Sequence, residues 1–235
     1  MTVWLLATDG MVQMYDWVII VVACFFWLGM VFYKIGNRYN GADWGSRSIN
    51  LIDGFLRWFF IRWHRLKAKP VILPEGAALV VGNHISGMDP LLMIACCNRP
   101  VRFIIAREEY DRWWLRWLFD RAGCIPVDRT GKPHIAYREA LKALEQGDVV
   151  GIFPSGRIVR PNETTKPIKA GATRLAFQAE APVYPLYLDG VKAPGSVFLC
   201  LVLRGKVTVQ QQQVLQPNLL DKKQMTEAIF NSIYK

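Results

Sequence analysis

A histidine and an aspartate stand five positions apart in Asn83-His84-Ile85-Ser86-Gly87-Met88-Asp89, directly after the apolar run 77–81. A carboxylate bonded to one nitrogen of an imidazole fixes the tautomer and leaves the other nitrogen free to take a proton from a hydroxyl. The four residues between them let the chain fold Asp89 back onto His84. Together they form the base half of a triad, without a protein nucleophile. Ser86 lies in the same loop, where turn formation explains a serine at least as well as covalent catalysis does. The bland alternative makes Asp89 the cap of a helix opening at Pro90 and leaves His84 satisfied by backbone. The chain has no G-x-S-x-G elbow, which argues against a serine hydrolase.

The elements that must position this pair follow a βα alternation. Residues 77–81, 101–106, 124–127, 149–153 and 183–188 are apolar runs of strand length, and 91–97, 130–146 and 170–180 carry helical patterns between them. The stretch 201–216 predicts closing strands and 222–234 a terminal helix. The expected fold is α/β: a central mixed, largely parallel β-sheet flanked by helices, with an N-terminal membrane-anchoring helical region. The expected division is 1–69 for the anchor and interfacial helices and 70–235 for the α/β domain.

Residues 17–33 carry no formal charge, a length at the lower edge of a bilayer-spanning helix. Asp9 and Asp16 precede this run and Lys34 and Arg38 follow it. That order disfavours a cleaved signal and places the following domain on the cytoplasmic side. A monotopic anchor is the rival reading. Residues 51–69 predict a second, amphipathic helix at the headgroup boundary, with His64 as a surface or headgroup-contact residue. The Trp-rich segment 112–121 suits either a cover for the core or a contact with lipid.

Composition agrees with a lipid-facing chain. Of 235 residues, 52% are hydrophobic and nine are Trp, and 29 basic residues against 19 acidic ones give a net charge of +10. The basic residues alternate with aromatics, which favours anionic membrane over nucleic acid. The five cysteines show neither CxxC spacing nor the density of a disulfide framework, and no metal site is expected.

Four blocks in order extend the reading: NHISGMD at 83–89, GCIPVDR at 123–129, FPSGR at 153–157 and VYPLYLDG at 183–190. Over about 77–190 the chain resembles the glycerolipid acyltransferase family typified by the bacterial 1-acylglycerol-3-phosphate acyltransferases. The resemblance implies that His84 is the general base and Asp89 its orienting partner. It also implies that Arg129, Gly156 and Arg157 position a phosphorylated acceptor, with Arg107 as a further anion contact and Lys169 and Gly171 organising the loop. Guanidinium groups suit bidentate phosphate contact, and backbone N–H groups near a glycine suit an anion nest.

Ser155 departs from the pattern, which has Glu in that position. If a functional contact was lost there without compensation, Ser155→Glu is expected to raise transfer. The implied reaction moves an acyl group from acyl-CoA or acyl-acyl carrier protein to 1-acylglycerol 3-phosphate, giving phosphatidic acid, with no tightly bound cofactor. Another lysophospholipid acceptor and a catalytically weak membrane scaffold are the alternatives. The implied partners are the lysophospholipid, the acyl thioester donor and membrane lipids, and the implied place is the bacterial inner membrane.

Overall fold

The computed structural model describes residues 2–128, 131–159, 163 and 168–234, and the side chains of the first helix from Asp16 onward. That helix, α1, is Thr2–Tyr39. Its stretch Asp16–Tyr39 has 24 residues and mean hydropathy 2.3, long and apolar enough to cross a membrane. At 1.5 Å per residue it rises about 36 Å, more than the ~30 Å of a hydrocarbon core. The uncharged run alone looked short because the helix continues through Lys34 and Arg38.

Helix α2, Arg47–Arg62, packs on α1 where both backbones lack side chains. A Cβ on Gly54 would lie 1.8 Å from the Gly36 carbonyl oxygen, so any larger residue there would separate the two helices. The opposite face of α2 is tied to the domain by Arg57. Its guanidinium pairs with buried Asp53 at 2.7 Å and donates to the carbonyls of Ile94, Ala95 and Cys97 at 2.7–3.0 Å. Those carbonyls end the helix α3, Asp89–Cys96, so a fixed cation satisfies acceptors that the helix itself cannot.

Helix α2 stops seven residues before the end expected from its amphipathic pattern. His64 is fully buried rather than exposed: its Nε2 donates to the Leu201 carbonyl at 3.1 Å, and its own carbonyl accepts from Val207. The backbone demand of this pairing overrides the helical periodicity, and Lys67–Ala68 become the edge strand β1.

The remaining strands are β2 (Ala78–Gly82), β3 (Val101–Ala106), β4 (Ile125–Val127), β5 (Val149–Ile152), β6 (Val183–Asp189) and β7 (Thr208–Gln211). They form one seven-stranded sheet in the order β1-β7-β6-β2-β5-β3-β4, parallel at every pairing except β6 with β7. The mixed, largely parallel sheet expected from the βα alternation is therefore present. Residues 201–216 contribute one strand rather than several.

Strand β2 is buried on both faces, and its alternate side chains feed two separate cores. Val80 packs with Phe60 of α2 and with Met88, Leu92 and Met93 around α3. Leu79 and Val81 pack on the other face with α6 (Pro133–Glu145), α7 (Gly171–Gln178) and α9 (Lys222–Ile233). Ala136, Ala140 and Ala143 line one stripe of α6 and let that helix lie close against the sheet.

After β3 come two short helices, α4 (Arg107–Tyr110) and α5 (Trp113–Arg121), and neither contains a buried residue. Trp113 is 87% exposed, so the Trp-rich segment does not cover the core. A further turn of helix, α8 (Leu199–Val202), precedes β7.

Candidate active site

Strand β2 ends at Gly82, and Asn83 clamps that end to the neighbouring strand. Its side-chain amide donates to the Leu188 carbonyl at 2.8 Å and accepts from the Leu188 N–H at 2.7 Å, a two-way link to β6. The loop then turns so that Asp89, fully buried, accepts four hydrogen bonds. They come from His84 Nδ1 (2.8 Å), the backbone N–H groups of Ile85 (2.6 Å) and Ser86 (2.7 Å), and the Ser86 hydroxyl (2.5 Å). A carboxylate only accepts, so in the neutral His84 ring the proton sits on Nδ1 and Nε2 carries the lone pair. The side chain of Asp89 thus turns backward onto its own loop instead of capping α3, whose N-cap Met88 makes no side-chain cap bond.

The Ser86 hydroxyl is buried and committed to Asp89, which makes it a brace for the carboxylate and not a nucleophile. A Cβ on Gly87 would meet the Val197 carbonyl at 2.3 Å, so glycine lets the segment around 195–197 close over the loop. Two backbone bonds hold this cover: Gly87 N to Ser196 O at 3.0 Å and Gly195 N to Ile85 O at 2.7 Å.

Strand β5 delivers the third block beside the pair. The Phe153 ring stacks on the His84 ring at 4.2 Å and 16°, and Phe153 in turn stacks over Phe103 of β3 at 5.6 Å. The carbonyl of His84 accepts from Val159 at 2.7 Å. The imidazole is therefore held by Asp89 at one nitrogen, by an aromatic face and by its own backbone. Among the described residues no protein group bonds its Nε2.

Gly156 takes a positive φ of 69° and places Arg157 in the same loop. Arg157 Nη1 donates to the Ile158 carbonyl at 3.1 Å and Nη2 pairs with Glu163. Ser155 donates its hydroxyl to the Arg157 carbonyl at 2.8 Å. A carboxylate thus stands against Arg157 although position 155 has none; it comes from Glu163, eight residues further on. Lys169 N–H bonds the Pro154 carbonyl at 3.2 Å and closes the loop. Gly171 opens α7.

Arg107 is the first residue of α4, at the carboxyl end of β3, exposed and without an ion-pair partner among the described residues. Arg129 lies outside the described residues. The parallel strands β2, β3 and β5 share a direction, so His84, Arg107 and the 153–157 loop all leave the sheet at its carboxyl edge. The chain runs from β2 towards β3 and β4 and later from β5 back to β6 across β2, which makes the β2/β5 crevice the switch point where open α/β sheets bind ligands. Three members of the site were not legible from residue chemistry: Asn83, Phe153 and Glu163. Phe153 and Asn83 could have been sought as neighbours of the recognised motifs, whereas Glu163 has no such signal.

The fold is thus an open, largely parallel α/β sheet that carries the His84/Asp89 pair at its carboxyl edge. Residues 61–189 match the family model Acyltransferase, more than half of the chain, and the chain belongs to that family. It is 30% identical over 127 residues to the probable 1-acyl-sn-glycerol-3-phosphate acyltransferase of Mycoplasma pneumoniae, covering 52% of this chain and 47% of that protein. It is 27% identical over 128 residues to the 1-acyl-sn-glycerol-3-phosphate acyltransferase of Bacillus subtilis, covering 54% and 63%. The chain thus spans between about half and two thirds of the length of these relatives. The crystal structure of the 1-acyl-sn-glycerophosphate acyltransferase of Thermotoga maritima superposes with a TM-score of 0.61 over 80% of both chains at 19% identity, and so shares the fold.

Proposed function

We propose that this chain transfers a fatty acyl group from a thioester to the free hydroxyl of a lysophospholipid, with 1-acylglycerol 3-phosphate as acceptor and phosphatidic acid as product. The carrying observation is the ring of His84, with Nδ1 held by a four-times-bonded Asp89 and Nε2 unoccupied by protein among the described residues. Nε2 takes the proton of the acceptor hydroxyl as its oxygen attacks the thioester carbonyl. Asp89 stabilises the imidazolium that forms, and the same proton passes to the departing thiolate as the C–S bond breaks.

Arg107, Arg129 and Arg157 are the groups proposed to bind the acceptor phosphate, where planar bidentate donors add both charge and orientation. The donor is acyl-CoA or acyl-acyl carrier protein. Helix α1 is proposed to hold the domain on the cytoplasmic face of a bacterial inner membrane, where acceptor and product both reside. The test is a product-resolved assay of purified protein with acyl-CoA and acyl-carrier donors against a panel of lysolipids that includes a phosphate-free acceptor. Phosphatidic acid formed preferentially supports the reading; lipid binding with no acylated product from any acceptor refutes it.

A further inference from the structure

A cavity of about 440 Å³ is lined by Arg65, Gly190, Lys192, Arg204, Gly205 and Lys206, none of them a residue placed around the His84 ring above. Four of its six lining residues are cationic and none is acidic. Of the four cations, Arg204 is held by Trp63 among the described residues: it donates to the Trp63 carbonyl at 3.2 Å and lies over the Trp63 ring at 5.6 Å. Arg65, Lys192 and Lys206 are exposed and form no ion pair among the described residues. Four like charges around one concavity repel one another, and an anion in the cavity relieves that repulsion.

The rim identifies which anion fits. Trp63, which carries Arg204 on its face, donates its indole N–H to the Val202 carbonyl at 3.1 Å and so fixes α8 beside the end of α2. Leu199, Val202 and Leu203 are all exposed, Val202 by 67%. The neighbouring Phe198 contacts Trp114 of α5 and lies under Arg112. An apolar band with Trp and Arg at its edge therefore runs from α2 across α8 to α5, continuous with the helix pair that carries the membrane-length segment. Such a band matches the depth profile of a bilayer surface, with apolar side chains among acyl chains and basic ones at phosphate level.

We infer that this cavity is a binding site for the phosphate headgroup of an anionic membrane phospholipid, seated while α8 and Trp63 enter the bilayer surface. The inference rests on the membrane placement proposed above and not on acyl transfer. The test uses full-length protein in nanodiscs of phosphatidylcholine into which phosphatidylglycerol is titrated, read by amide hydrogen exchange.

The expected result is progressive slowing of exchange over residues 190–206 as phosphatidylglycerol rises, with Lys192→Gln/Lys206→Gln needing on the order of tenfold more of it. The Lys192→Arg/Lys206→Arg variant is expected to behave as wild type, which separates lost charge from lost structure. Equal exchange at every lipid composition, or an unchanged response in the Gln variant, overturns the inference. Slowing by coenzyme A or inorganic phosphate in purely neutral discs also overturns it and assigns the cavity to soluble phosphates. Protection of α1 in those neutral discs reports the membrane placement separately.

Discussion

Replacing His84 by alanine removes the proposed base, one of four donors to Asp89 and a ring stacked on Phe153. The lost hydrogen bond to a charged acceptor is worth about 1.5–3 kcal/mol and the stack about 0.5–1.5 kcal/mol. Because Asp89 keeps the Ile85, Ser86 N–H and Ser86 hydroxyl donors, the net loss falls near the low end, about 2 kcal/mol. For a domain of this size that lowers the melting temperature by roughly 4–8 °C, leaving the protein folded at assay temperature. Transfer is expected to fall at least about 100-fold.

Asp89→Asn tests the other half. An amide oxygen at the position of Oδ2 retains the Ile85, Ser86 and His84 donors, while Ser86 Oγ turns to accept from the amide N–H, so the loop keeps its shape and loses its charge. Turnover is expected to fall strongly here too, and the double variant is expected to be no slower than His84→Ala alone, since the two act as one unit. The assay is turnover with saturating thioester and lysophosphatidate in detergent, paired with a thermal melt of each variant. A folded His84→Ala protein that transfers at a near-normal rate would falsify the mechanism. A double variant whose losses multiply would show that Asp89 acts elsewhere.

Ser155→Glu, expected on sequence grounds to raise transfer, is now expected to lower it. The new carboxylate would crowd Arg157, already paired with Glu163, and repel an anionic acceptor; a higher KM for lysophosphatidate checks this, and a gain in kcat/KM refutes it. Maleimide labelling of the folded protein is expected to be slow at Cys96, Cys97 and Cys124, because burial pushes Cys96 and Cys124 up to about 12 and raises Cys97 as well; rapid modification of Cys124 by mass spectrometry contradicts this packing. Burial lowers the pKa of His64, so below the ordinary imidazole range near pH 6.5 the unfolded chain takes up a proton that the folded one refuses. Stability is therefore full above that pH and falls on acidification, and a melting temperature whose pH slope is unaltered in His64→Gln refutes it. Membranes containing the protein are expected to retain it through high-salt and alkaline carbonate washes, and complete release by salt alone shows that α1 is no integral anchor.

The His84–Asp89 contact was legible because its geometry is local: six residues carry both groups, and the turn chemistry between them is written in Ser86 and Gly87. The strands were legible for a related reason, since fully buried parallel strands are unbroken apolar runs. What failed was decided by contacts distant in the chain. The amphipathic pattern of 51–69 predicted one long helix, yet pairing of 64–67 with 201–207 ended it at Arg62 and buried His64. Arg57 lies inside the segment predicted as an interfacial helix, and only the carbonyls at the end of α3 reveal it as a structural pin. Glu163 could not be assigned to Arg157 from sequence because a loop, with no period to read, brings them together.

The Asn83 clamp places the site under the control of synthesis order. Asn83 and Leu188 are separated by 105 positions, and at about 5–20 residues per second a ribosome needs roughly 5–20 s to make the intervening chain. Through that interval the His84 loop exists with neither the strand that anchors it nor, until Phe153 arrives, the ring that fixes its plane. Under the proposed function, a nascent chain already held at the bilayer would therefore meet lysolipid long before it could acylate it, and competence would come late, when β6 slides in beside β2.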